Sequence, residues 1–163
     1  MTVPRTESPS DARIPAWAGL AARLAVGLVL VVSGTFKASA PAEEFSVVIE
    51  AYGLVPPDMS LTLAACLPWL ELWVGFALIC GYLTRLTSLA AEGMFLAFIG
   101  AILSTKIRGI ELPDCGCFGG GFDPKPNVTL LMDAGFAFLA YLSFKKGGAL
   151  WSMDNWALEA QKS

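Results

Sequence analysis

The chain has 163 residues, of which 55% are hydrophobic and 15% are charged, and its formal net charge is −3. Charged residues make up about a quarter of an ordinary soluble domain, so this composition favours a membrane protein with the lipid bilayer as its main surroundings. The sequence has no histidine and no Lys/Arg cluster, which excludes His-ligated zinc or haem and a Ser-His nucleophile and makes nucleic acid an unexpected partner.

Four apolar segments are long enough to cross a hydrocarbon core of roughly 30 Å, which takes about 17 to 25 helical residues. They cover residues 16–36, 61–83, 86–103 and 128–144. Backbone groups in lipid need partners within their own segment, so each segment is predicted to be a helix. The fold class that follows is an all-α membrane protein with four transmembrane helices in one bundle.

The first segment has one alternative interpretation, a cleaved signal peptide. The small residues at 38–40 have the form of a cleavage site. The apolar stretch is longer than a typical signal core, Pro41 would follow the cut directly, and Arg23 lies inside the segment. A retained first span is therefore expected.

A short amphipathic helix is predicted between the first two spans. Phe45, Val48, Ile49 and Tyr52 follow the i, i+3, i+4, i+7 spacing of one helical face. About ten residues cannot span a bilayer, so this helix is expected to lie in the interface or to cap the bundle.

The orientation follows from the distribution of Lys and Arg. With four spans, both termini and the turn near Arg85 share one side, which carries slightly more basic residues. This predicts a bacterial inner-membrane protein with a cytoplasmic tail of residues 1–15, a membrane domain of residues 16–146 and a second cytoplasmic tail of residues 147–163. The loop between the last two spans would then face an oxidising compartment.

That loop contains a Cys-Gly-Cys motif. A disulfide between Cys115 and Cys117 requires a sharp chain reversal, which Gly116 permits, and so small a ring is strained, as labile redox disulfides tend to be. Phe118 and Gly119 follow and would shape the loop for close approach by a partner. The alternatives are a structural staple and a metal site, although two thiolates without histidine make a poor metal site, so no metal is expected.

The two remaining cysteines have a different setting. Cys66 and Cys80 share one face of the second span with two tryptophans, away from Glu71. Packing or lipid contact is the predicted role of this face.

Ionisable residues inside spans cost roughly 2.5 to 3.5 kcal/mol each on insertion scales, so each is a functional hypothesis. Counted from the helix ends, Arg23, Glu71 and Glu92 lie roughly 15 to 20 Å deep, which predicts that Arg23 pairs with Glu71, Glu92 or both. Asp133 lies shallower, where Lys37 or the Cys-Gly-Cys loop could reach it. These groups either move protons or only fix the helix register, and the sequence does not separate the two roles.

The charged and small residues of the first two spans recur at helical spacing. This pattern predicts two interior-facing stripes, which consist of Arg23, Gly27, Leu30, Gly34 and Lys37 on the first span and Pro68, Glu71, Gly75 and Leu78 on the second.

The chain resembles the MauE (methylamine utilisation) branch of the DoxX-like membrane proteins over about residues 16–146. The motifs that carry this resemblance are "SGTFK" at 33–37, "YGLVP" at 52–56, "LPWLELWVG" at 67–75 and, most specifically, "CGCFG" at 115–119. The resemblance implies a four-helix inner-membrane protein of extracytoplasmic redox chemistry, often beside a thioredoxin-like partner. It also implies that Cys115 and Cys117 are the redox pair, and for MauE itself a role in maturing a disulfide-rich periplasmic dehydrogenase subunit.

Two main functions follow. The first is a thiol-disulfide oxidoreductase component that exchanges disulfides with a thioredoxin-like protein and passes electrons to a membrane acceptor such as quinone. Arg23, Glu71 and Glu92 would then move the accompanying protons. The second is a non-enzymatic anchor or assembly subunit whose Cys-Gly-Cys loop is a docking element. A transporter is a weaker alternative, since neither a broken helix nor an inverted repeat is visible.

Overall fold

The structure, a computed structural model, describes residues 15–110, 126–146 and 152–153. Five helices follow one another in this part of the chain: α1 (Ala16–Ser39), α2 (Ala42–Ala51), α3 (Pro57–Cys80), α4 (Thr84–Arg108) and α5 (Pro126–Lys146). All except α2 are long and apolar enough to cross a membrane. The predicted all-α, four-span fold is therefore confirmed.

Prolines and glycines set several of the helix ends. Pro57 occupies the first turn of α3, where a missing N–H costs nothing because that group has no intrahelical partner. Gly81 ends α3 and Gly109 ends α4 in the left-handed conformation, with φ of 71° and 68°. Most helix ends extend beyond the predicted apolar segments, because terminal turns such as that of Asp58 and Ser60 carry polar residues. The second span is the exception at its far end, since it was predicted to reach residue 83 and α3 ends at Cys80, before Gly81.

The long helices pack as an antiparallel bundle around α1. Helix α1 contacts both α3 and α5, and α4 packs mainly on α5. A short turn at residues 81–83 joins α3 to α4; we call this end of the bundle the turn end and the opposite end, which carries α2, the α2 end. The buried apolar core between them consists of Val26, Leu30, Val74, Leu78, Ala91, Met94, Phe95 and Ala140.

Helices α1 and α3 approach each other at glycines. A Cβ atom added to Gly27 would lie 2.9 Å from the carbonyl oxygen of Gly75, and one added to Gly34 would lie 2.9 Å from that of Pro68. Small residues allow such close backbone contact, which is a common way to associate helices in lipid. The two predicted interior stripes are confirmed, since every member of them is buried.

Helix α2 is the predicted amphipathic helix, and it packs on α3. Its glutamates Glu43 and Glu44 are exposed. Ser60 of α3 donates a 2.6 Å hydrogen bond to Glu50, and Arg108 at the end of α4 donates to the carbonyl oxygens of Tyr52 and Gly53. Helix α2 is thus attached to both neighbouring spans and covers one end of the bundle.

Two further regions bear on the sequence expectations. Cys66 and Cys80 are free and exposed, which fits the predicted lipid-facing surface of α3. Ser152, expected in a surface tail, is instead buried. A Cβ atom added to Gly81 would lie within 2.8 Å of Ser152 and 2.7 Å of Arg23, so this part of the C-terminal segment packs on the turn end.

Candidate functional site

The α2 end contains a buried cluster of polar side chains from three helices. Lys37 of α1 and Glu71 of α3 form an ion pair with 2.5 Å between Nζ and Oε1, and their side chains are 1% and 0% exposed. Ser33 donates a 3.0 Å hydrogen bond to the other carboxylate oxygen of Glu71. We call Ser33, Lys37, Glu71 and the nearby Asp133 the polar cluster.

The helical repeat and one glycine place these groups together. Ser33 and Lys37 are four residues apart and therefore lie on the same face of α1. Between them, Gly34 leaves room for α3, because a Cβ atom at Gly34 would lie 3.1 Å from the Cβ atom of Glu71. Because the two helices lie this close, the Glu71 carboxylate accepts hydrogen bonds from both Ser33 and Lys37 of α1.

Asp133 contributes a second buried carboxylate from α5. It is 3% exposed, and its Oδ2 atom has no hydrogen-bond partner in the described part of the chain. Asp133, Ser33 and Glu71 line a cavity of about 10 Å³, close to the smallest space that holds a water molecule, roughly 10–15 Å³. Asp133 also interacts electrostatically with Lys37 and Glu71. Two carboxylates therefore share one ammonium group.

Two aromatic rings border the Lys37 ammonium on the side of α2 and α4. Its Nζ atom lies 5.3 Å from the centroid of the Phe45 ring and 5.0 Å from that of Phe98. Ring faces attract cations at such distances, more strongly where water is absent. The ammonium is held by Glu71 on one side and by two rings on the other.

The predicted partner of Glu71 was wrong: Lys37, rather than Arg23, neutralises it. Arg23 is buried near Gly81 at the turn end, whereas Glu71 faces Gly34 near the α2 end. Counting depth from helix ends assumed that the ends are level, but α3 begins beyond the end of α1, alongside α2. Glu92 is half-buried on α4 and forms no ion pair within the described residues.

The Cys-Gly-Cys motif and its neighbours Phe118 and Gly119 lie outside the described residues. The helices on either side of that segment are described. Lys106, near the end of α4, donates a 2.6 Å hydrogen bond to Asn127, near the start of α5. The chain therefore leaves α4 and enters α5 at the α2 end, where the polar cluster lies. No group of three or more metal-ligating side chains occurs in the described ranges.

Sequence reasoning missed three members of this site. Ser33 had a recognisable signal, since it precedes Lys37 by one helical turn and adjoins Gly34 of the stripe predicted to face inward. Phe45 and Phe98 had none, because their meeting at one ammonium depends on how α2 and α4 pack. Lys37 and Asp133 were expected to be near each other, and the structure brings both to the cluster.

Comparison with known proteins identifies relatives of this chain. Residues 15–146 match the family model described as "Methylamine utilisation protein MauE". Three proteins named methylamine utilization protein MauE are similar to it. The Methylorubrum extorquens protein is 31% identical, in an alignment that covers 70% of this chain and 62% of that protein. The Methylophilus methylotrophus protein is 36% identical over 59% of this chain and 50% of its own length, and the Paracoccus denitrificans protein is 31% identical over 55% of this chain and 48% of its own length.

The chain thus aligns with about half to three fifths of the length of these relatives. No solved structure matches significantly. The family model covers the complete bundle from the start of α1 to the end of α5, including the polar cluster and the Cys-Gly-Cys segment. On this coverage, the chain is a multi-pass membrane protein that belongs to the MauE family.

Proposed function

We propose that this protein is a membrane redox component that exchanges thiol and disulfide equivalents through Cys115 and Cys117. The observation that carries the proposal is a Cys-Gly-Cys motif in a segment whose two flanking helices end beside a buried, charged cluster. A dithiol supplies two electrons and two protons when it is oxidised, and the cluster offers buried ionisable groups near the same end of the bundle.

The proposed reaction has two balanced steps. A thiolate of a thioredoxin-like partner attacks the Cys115–Cys117 disulfide, a mixed disulfide forms, and the partner's second thiolate resolves it. The partner leaves oxidised, and the two cysteines are left as thiols. A membrane quinone then takes two electrons and two protons from these thiols, which restores the disulfide and releases quinol.

The polar cluster supports this proposal through its charge count. Glu71 and Asp133 carry two formal negative charges against the single positive charge of Lys37. Buried charge without a partner is costly, so such a cluster readily accepts a proton, and the proton belongs to the coupled group rather than to one residue. We assign the proton transfer to Glu71, Asp133 and Lys37. Arg23 is left outside this route because it lies at the other end of the bundle.

The relatives suggest the cellular setting. They are named for methylamine utilisation, and by extension this chain would support the maturation of disulfide-containing periplasmic proteins of that metabolism. The inner membrane, with both termini in the cytoplasm and the cysteines outside, is the location that this chemistry requires.

Trapping of the mixed disulfide tests the proposal. We expect either Cys115→Ser or Cys117→Ser to accumulate a thiol-reducible adduct, under an added oxidant, with a thioredoxin-fold protein that keeps only its attacking cysteine, because neither protein then has a second thiol that could release the other. Cys66→Ser is the matched control and should form no adduct. If neither single variant forms an adduct, and cells with the Cys115→Ser, Cys117→Ser double variant keep both the partner complex and the phenotype of the unmodified protein, the protein is instead a non-enzymatic anchor.

A further inference from the structure

A second, larger cavity lies at the α2 end, and Phe98 lines both this cavity and the small cavity of the polar cluster. Its volume is about 180 Å³. Besides Lys37 of α1, its walls include Phe45 and Ile49 of α2, Leu63 and Leu67 of α3, and Phe98 and Ala101 of α4. An apolar cavity of about 150 Å³ is known to accommodate a benzene molecule, so this one has room for a single substituted ring.

Lys37 is the charged residue among those that line this cavity. Its ammonium group has three N–H donors, and Glu71 accepts one hydrogen bond from it. The Phe45 and Phe98 rings lie with their faces toward this ammonium group and accept no conventional hydrogen bond from it. A ligand oxygen that accepts a hydrogen bond would therefore find a donor in the lining of an apolar, aromatic-lined space.

The cavity lies where α3 and α4 are separated. The turn at residues 81–83 joins these helices at the turn end, and the cavity divides them near Leu67 and Phe98, toward the α2 end. Leu63 and Leu54, which also line it, are exposed on the protein surface. The lining of the cavity therefore continues to exposed positions, from which a membrane-soluble molecule would enter it.

We propose that this cavity binds the ring of a membrane quinone, with Lys37 donating a hydrogen bond to one ring carbonyl and with Phe45 and Phe98 beside the ring. The apolar walls, the ring-sized volume and the ammonium donor fit a flat, lipid-soluble carbonyl compound. The inference rests on the proposed function, in which a quinone accepts electrons from Cys115 and Cys117.

Binding of decylubiquinone to the purified full chain in lipid nanodiscs tests the assignment. We expect saturable binding that Ala101→Phe weakens by about tenfold or more, because the added ring fills the cavity. Ala97→Phe, one turn away on an exposed position of α4, is the matched control and should bind as the unmodified protein does. No saturable binding, or equal weakening by the two substitutions, would overturn the proposal.

Two further arms separate related explanations. Oleate presents a carboxylate in place of a ring carbonyl; if it competes as well as a second quinone does, the site belongs to fatty acids and the quinone assignment fails. The Lys37→Met, Glu71→Gln pair removes the donor without leaving Glu71 as an unpaired carboxylate and should weaken binding by about tenfold. The Cys115→Ser, Cys117→Ser variant should bind normally, so loss of quinone binding and loss of thiol exchange are distinguishable.

Discussion

At the scale of single residues, Lys37 balances the charge of the polar cluster. It is the described cation beside two buried carboxylates, and its ammonium contacts Glu71 at 2.5 Å. Burying an ion pair is roughly neutral for stability, whereas removing one partner leaves an uncompensated charge. The cluster should therefore tolerate paired changes better than single ones.

Lys37→Met should lower the free energy of unfolding by about 3–5 kcal/mol, because Glu71 would lose its counter-ion in a water-poor environment. Adding Glu71→Gln should restore most of that loss. Steric trapping in lipid bicelles measures both values. Lys106→Met removes an exposed lysine at the same end, together with its hydrogen bond to Asn127, and should change stability by no more than about 1 kcal/mol. Equal losses in the single and paired variants would contradict this account.

Replacing Asp133 should raise the stability of the protein and lower its activity. Asp133→Leu removes a buried oxygen that has no partner in the described part of the chain, so we expect a gain in unfolding free energy of about 1–3 kcal/mol. If the cluster moves protons, both Asp133→Leu and Asp133→Asn should slow quinone-dependent reoxidation of the Cys115–Cys117 thiols, on the order of 100-fold. Unchanged rates in both variants would leave Asp133 a purely structural group.

At the scale of helices, the close packing of α1 on α3 fixes the register that brings Glu71 beside Lys37. Gly34 lies at the centre of that contact, since an added Cβ atom would lie 2.9 Å from the Pro68 carbonyl oxygen. Gly93 on α4 is the opposite case, with no atom within 4 Å of an added Cβ.

Gly34→Ala should destabilise the protein by about 1–3 kcal/mol, because the methyl group forces α1 and α3 apart. Gly93→Ala should instead be neutral or stabilise it by up to about 1 kcal/mol, through the better helix propensity of alanine. The same bicelle measurement compares the two. A similar effect at both positions would show that helix propensity, and not the α1–α3 contact, controls stability.

The sequence determined the elements better than their register. Apolar run lengths predicted all four spans, and the spacing of Phe45 and Ile49 predicted α2, because helical periodicity is local. The partner of Glu71 was predicted wrongly, since it depends on how far α3 extends past α1, and that offset depends on the docking of α2. Phe98 joins the site through the packing of α4, which no local pattern of residues indicates.

At the scale of the whole molecule, the bundle concentrates its unusual chemistry at one end. The polar cluster, the cavity of about 180 Å³ and the helix ends that flank the Cys-Gly-Cys segment all lie at the α2 end. The turn end holds Arg23, Gly81 and Ser152 in a separate packed region. This division supports an assignment of redox chemistry to one side of the membrane.

The most direct test of this account is the redox state and sidedness of Cys115 and Cys117 in intact cells, in a chain whose Cys66 and Cys80 are replaced by alanine. The two thiols would be trapped with a membrane-impermeant maleimide after oxidising or reducing growth. The account predicts labelling from outside that rises under reducing growth and disappears under oxidising growth. Thiols held in one unchanging state under both conditions, or reached only by a membrane-permeant reagent, would contradict it.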